Sequence, residues 1–243
     1  MRAWWAQTRA EVQMTVRRGE TLLLTLGIPV VLLIFFAQTH VTTTPPGGRI
    51  NFIAPGILAL CILSTSLVAL SIATGFERSY GVLRRLHVTP LGQRRLIAAK
   101  IAGVVVTEII QVVVLGVVAL GLHWKPHGGV RGAVITTAAL LLGSAGCAGI
   151  GLLLAGRLRA EVNLAAANGL YLVLLLVSGI VVPLASMPSP VRAVARWLPS
   201  GAMADALHHI LGGAGPVGAI DWWSLAAWAV VAPLLAARTF RFD

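Results

Sequence analysis

Six stretches of the chain, 21–39, 52–76, 97–122, 132–155, 164–184 and 222–237, are apolar almost without interruption. Each approaches the roughly 20 residues that carry a helix across a bilayer. Runs of that length, repeated that often, leave little choice of class. The expectation is an all-α integral membrane protein with six transmembrane helices in one domain, 1–243. Composition agrees: 57% of the residues are hydrophobic and 11% charged, where a soluble domain carries roughly twice that charged share. The sixth run is short and opens on Trp222 and Trp223, which suit an interfacial anchor. Pro29, Pro55 and Pro183 fall within or at the ends of runs, where bends are tolerated when neighbours satisfy the freed carbonyls. No internal repeat is evident, which speaks against an inverted-repeat transporter.

The net charge of +11 invites a nucleic-acid reading, but the cations sit in short loops between apolar runs. That pattern points to membrane topology and to no nucleic-acid partner. With the N-terminus placed inside, 14 of the 19 lysines and arginines fall on the cytoplasmic side and 5 on the other. The positive-inside rule therefore puts both termini in the cytoplasm, in agreement with six spans. Residues 1–20 carry Trp5, Thr8, Val12 and Val16 at helical spacing among arginines, and no small-residue cleavage site follows them. They read as an amphipathic helix at the membrane surface and not as a signal peptide. The arginine-rich composition suggests a GC-rich bacterial genome, hence a bacterial cell membrane. Cys61 and Cys147 both lie in apolar runs and read as packing residues.

The connector between the second and third runs, 77–95, is the densest in charge. From Gly75 to Lys100 stand six cations, Arg78, Arg84, Arg85, Arg94, Arg95 and Lys100, against the single acid Glu77. Tyr80, Leu83 and Leu86 or His87 recur at helical spacing, then Thr89 and Pro90 supply an N-cap and a first-turn proline for the next helix. Such arginines can simply fix topology and hold anionic headgroups, or they can present a handle to another protein.

The run Glu77-Arg78-x-x-Gly81-x-Leu83-Arg84-Arg85-Leu86-x-x-Thr89-Pro90-Leu91, ending at Lys100, resembles the first cytoplasmic loop of type-2 ATP-binding-cassette exporter permeases, in particular their daunorubicin-resistance-like branch. "SGIVVPLASMP" is similar to the end of that family's fifth span, and "ARWLPSGAMADALHHILGG" to its extracellular helical segment before the last. The family often carries further acids in the connector, where this chain has Ser79 and Arg84. The resemblance implies a non-enzymatic permease subunit that exports an amphipathic drug, lipid or secondary metabolite. It implies a coupling helix, Glu77, Arg78, Tyr80, Gly81, Leu83, Arg84, Arg85, Leu86, Thr89 and Pro90, docked in a separate ATPase subunit. A second permease copy, identical or related, completes the transporter, and the N-terminal helix also touches the ATPase. ATP and magnesium would belong to that partner, with no cofactor in this chain.

The residues agree with that division of labour. No Gly-Lys dipeptide occurs, so the chain has no phosphate-binding loop of the usual kind. His208 and His209 are adjacent, about 100° apart on a helix, and read as loop or interfacial residues and not as a metal site. Glu108 is the one acid plainly inside a run, open to two readings: a contact for a proton or cationic substrate, or a carboxylate bonded by Gln111 one turn along or by a neighbouring arginine. The string Gly143 to Gly151 admits a close helix, from the same subunit or a second copy. Ser64, Thr65, Ser66 and Ser71, with Asn163 and Asn168, are candidates to line a translocation path together with Glu108 and Gln111, although Ser and Thr in spans also bond their own backbone. The segment 185–220 is too polar for a span and too apolar for a plain loop, and reads as a cap of two short helices parted by Pro199. The rival to a permease subunit is a self-contained secondary transporter or channel, which should show coupled ionisable groups.

Overall fold

A computed structural model describes residues 19–39, 48–82, 92–180, 182–213 and 215–240, and of 19–24 and 92–95 the backbone only. It is all-helical, with no strand among the described residues. The long helices are α1 (Gly19–Gln38), α2 (Arg49–Ser79), α3 (Gly92–Gly121), α4 (Gly129–Ala155), α5 (Ala160–Val177) and α8 (Ala219–Thr239). Two short ones, α6 (Ser189–Trp197) and α7 (Pro199–Leu211), intervene between α5 and α8. Five of the long helices are apolar enough to cross a membrane over their described side chains, and α1 contributes a shorter apolar stretch, Thr25–Gln38. The N-terminal surface helix expected over 1–20, all but its last two residues, lies outside the described residues.

α2 and α4 form the centre, and everything else is arranged on them. α4 packs most extensively against α8, and its glycines show why. A Cβ on Gly149 would stand 2.5 Å from the Pro233 nitrogen of α8, one on Gly146 3.0 Å from the Trp228 Cβ, and one on Gly151 2.6 Å from the Leu67 carbonyl oxygen of α2. Without side chains at these positions the backbones approach closely, the usual device of helix packing in lipid. The small-residue string is therefore consumed within one subunit.

α3 shows the opposite arrangement. Ile109, Val113, Val117 and Leu120 form an exposed apolar stripe, while Val104, Glu108, Gln111, Leu115 and Ala119 face the bundle. α5 is the least covered of the spanning helices. It ends at Val177, short of the expected 184, because Ser178 Oγ donates to the Leu175 carbonyl and Gly179, at φ +77°, turns the chain.

The cap is two helices of unlike character. α6 lies outside, with only Ala195 buried, whereas nine of the 13 residues of α7 are buried. Helix α7 is thus part of the core. Its His208, expected in a loop or at an interface, stacks on Phe52 of α2 with centroids 4.4 Å apart, and its Nε2 meets the Phe52 carbonyl at 3.1 Å. Burial lowers its pKa to about 4.

Candidate functional site

The last ten residues of α2, Leu70–Ser79, and the first turns of α3 bracket the arginine-rich connector. Of the ten residues singled out there, Glu77, Arg78, Tyr80 and Gly81 are described; Leu83, Arg84, Arg85, Leu86, Thr89 and Pro90 lie outside the described residues.

Three ties fix this end of α2. Lys100 Nζ of α3 reaches Glu77 Oε2 at 2.6 Å, with Lys100 only 3% exposed. Two helices separated by the connector are thereby joined at its base. Arg78 Nη1 donates at 2.8 Å to the carbonyl of Ala155, the last residue of α4. A cation capping a free carbonyl at a helix C-terminus is favourable on both hydrogen-bond and dipole grounds. Ser71 and Asn163 of α5 bond reciprocally: Ser71 Oγ donates to Asn163 Oδ1 at 2.8 Å, and Asn163 Nδ2 donates to the Ser71 carbonyl at 2.9 Å. Gly75, one turn along, makes room, since a Cβ there would lie 2.6 Å from Asn163 Nδ2. Within two turns α2 is held by α3, α4 and α5.

Beyond these ties the surface is presented outward. Gly81 takes φ +71°, Tyr80 is 74% exposed, and Val82 is exposed beside it. A cleft of about 490 Å³ opens between Gly75, Arg78, Tyr80, Arg159 and Glu161. A second, of about 570 Å³, is lined by Arg157, Arg238, Thr239 and Phe240. Arg78, Arg157, Arg159 and Arg238 thus share one end of the bundle.

Midway along α2, Ser64–Ala69 form a π-helical turn. Ser66 Oγ donates to the Ile62 carbonyl at 2.6 Å, the backbone bond that serine in spans can make. Thr65 Oγ1 and the Gln111 side chain of α3 bond each other at 2.9 and 3.1 Å, and Gln111 Nε2 reaches the Thr25 carbonyl of α1 at 3.3 Å. A π turn inside an α-helix is a common site of bending.

The candidates for a translocation path therefore divide. Thr65, Ser66, Ser71, Gln111 and Asn163 are buried, their hydrogen bonds directed to neighbouring helices or their own backbone. Ser64 is half-buried, and Asn168 is exposed on α5, its Nδ2 donating to the Leu164 carbonyl. Glu108 is 5% exposed and its Oε1 has no hydrogen bond among the described residues. Gln111, expected one turn along as its partner, is occupied by Thr65 and Thr25. Ser144 stands beside Glu108 without hydrogen-bond geometry, with Cys61 and Cys147 within electrostatic reach.

Sequence reasoning overlooked the ion pair at the opposite end. Arg196 of α6 grips Asp221 of α8 through Nε at 3.2 Å and Nη2 at 2.9 Å. Asp221 is wholly buried, and the contact holds the pKa of Arg196 above its ordinary value. Trp228 Nε1 adds a bond to the Trp197 carbonyl at 2.8 Å. The available signal was an acid placed immediately before Trp222 at the head of an apolar run.

Compared with known proteins, residues 37–238 match the ABC-2 family transporter protein family. The chain is also 24% identical over 216 residues to the Bacillus subtilis (strain 168) protein YvfS, described by its name as a transport permease, with 86% of each chain covered.

Proposed function

The chain belongs to the ABC-2 transporter family, and from that premise we propose that it is the membrane subunit of an ATP-driven exporter, moved through its connector by a separate ATPase. A second permease copy, identical or related, stands across the path from it. Both termini and the connector face the cytoplasm of a bacterial cell.

The observation that carries this reading is the triple tie of α2 to α3, α4 and α5 at Glu77, Arg78 and Ser71. A connector rooted in three helices transmits a push on its tip as a tilt of all three. The π turn at Ser64–Ala69 supplies the place where α2 bends in response. ATP biases such a transporter only by binding the assembly differently in its two states, so a stiff mechanical link is what the design requires. Exposed Tyr80 and Val82 and the cleft beside Arg159 offer the partner its contact.

The substrate is an amphipathic drug, lipid or secondary metabolite. Its path runs between subunits past Ser64 and Asn168, the two candidates not committed to the interior of this chain. A second copy fits against the largely uncovered side of α5. The buried Glu108 is the one observation favouring a self-contained secondary transporter. Against it, the groups that interact with Glu108 among the described residues are Ser144, Cys61 and Cys147, which include no second carboxylate, lysine or histidine for a proton relay.

Co-expression with the ATPase encoded beside this reading frame tests the proposal. A Tyr80→Cys permease should cross-link to that ATPase and co-purify with it in mild detergent. Neither complex nor cross-link would sink the coupling role.

A further inference from the structure

The end of the bundle opposite the connector holds a groove that the coupling scheme does not use. Helix α4 has 27 residues, so its first turn lies roughly 40 Å from the Arg78–Ala155 contact. The groove runs between the first turns of α4, the end of α7 and the start of α8, and has a volume of about 640 Å³.

Its lining is ordered along its length. Arg131, Val134, Ile135 and Ala138 of α4 recur at helical spacing and make one stripe. The stripe is about 10 Å long, with its cation at the end nearest the helix start. Ile210 and Trp222 form the facing apolar wall. His127 stands at the charged end, its carbonyl packed on Gly132 and its ring on Gly213. His209, also in the wall, bonds through Nδ1 to the Asp205 carbonyl and lies 3.6 Å from that residue's carboxylate.

Arg131 is exposed and pairs with no acid among the described residues. It also sits in the first turn of α4, the end of a helix where a cation is disfavoured. No acid is among the described residues that line the groove. The site thus combines an uncompensated cation with an apolar trough directed along a spanning helix, and Trp223, 73% exposed, marks the same end of α8.

We propose that this groove binds one anionic phospholipid. Its phosphate meets the guanidinium of Arg131 and the ring of His127, and its acyl chain lies along Val134, Ile135 and Ala138 against Ile210 and Trp222. A free phosphate would satisfy the cation and leave the apolar wall uncovered, while a zwitterionic lipid would bring its own cation to Arg131. The inference depends neither on the ATPase nor on the direction of transport.

The test is native mass spectrometry of the full chain released from nanodiscs of equal phosphatidylglycerol and phosphatidylcholine. The unaltered protein should retain phosphatidylglycerol preferentially. Arg131→Gln, a surface change, should lower the retained ratio about fivefold, the worth of one arginine near an anionic headgroup. Ala138→Trp, which fills the apolar end, should reduce retained phosphatidylglycerol, while Arg192→Gln on the outer side of α6 should change nothing. Parity of the two lipids on the unaltered protein would overturn the proposal, as would an Arg131→Gln ratio equal to it. Displacement of the lipid by millimolar inorganic phosphate would make this a free-anion site. A change in subunit association without loss of lipid would make it an interface between copies. Either result also overturns the proposal.

Discussion

Each end of the bundle is closed by an ion pair with one deeply buried member, yet the two ends are built differently. At the connector end, Lys100 is buried and Glu77 is a quarter exposed. The pair joins two spanning helices, and Tyr80 and Val82 just beyond it are exposed. At the cap end Asp221 is buried and Arg196 about a third exposed. That pair pins an outer helix, α6, over an inner one, α7, which fills the core. Similar bonds therefore tie two spanning helices together in one place and hold one short helix over another in the other. What separates them is what lies beside each pair: exposed Tyr80 and Val82 at one end, buried Met203 and Leu207 at the other.

Breaking the cap pair should give the largest effect on stability, and an asymmetric one. Arg196→Leu leaves Asp221 charged and buried, so it should cost about 3–5 kcal/mol. Asp221→Leu leaves an arginine that can turn to water, and should cost distinctly less. Thermal unfolding of the two variants in one detergent measures the difference; equal losses would mean that Asp221 is less enclosed than the fold implies.

The cap should also respond to acid, through His208. Its pKa in the fold is about 4 against an ordinary 6.5, so between those values the unfolded chain binds the extra proton. Stability therefore falls as the pH drops from about 6.5 to about 4, in total by something on the order of 3 kcal/mol. Melting curves across that range should flatten in His208→Phe, which keeps the stack on Phe52 and removes the titrating group. An unchanged pH slope in that variant would assign the acid sensitivity elsewhere.

The smallest effect belongs to the tie between α2 and α5. Hydrogen bonds between helices in lipid contribute about 0.6 kcal/mol, with a ceiling near 1.7. Asn163→Ala should cost an amount in that range, yet it should weaken transport more than it weakens the fold if the tie carries motion. Parallel losses of both would reduce Asn163 to packing.

Much of this was legible in the chain. The apolar runs announced an all-helical membrane protein, and the crowding of arginines between the second and third runs marked the connector. Pro199 stood where two short helices part. What escaped was whatever depends on the partner across a helix contact. Ser71 and Asn163 looked equally fit to line a path, because a polar group in a span bonds a substrate or another helix, and the sequence does not say which. Among the cations of the connector Lys100 does not stand out by charge, although a lysine four residues inside an apolar run needs an acid nearby, and Glu77 is the available one. The polarity of His208 points to an exposed site, whereas Phe52, 156 residues away along the chain, holds it half-buried against α2. Only in space do the glycines of α4 find Trp228, Pro233 and Leu67.

The handle itself is tested most directly by Leu83→Asp together with Leu86→Asp, read as substrate-stimulated ATP hydrolysis by the reconstituted permease and ATPase. Loss of the stimulation, with the melting temperature of the permease unchanged, is the predicted result. Full stimulation by a correctly folded double variant would contradict the claim that the connector is where the motor takes hold.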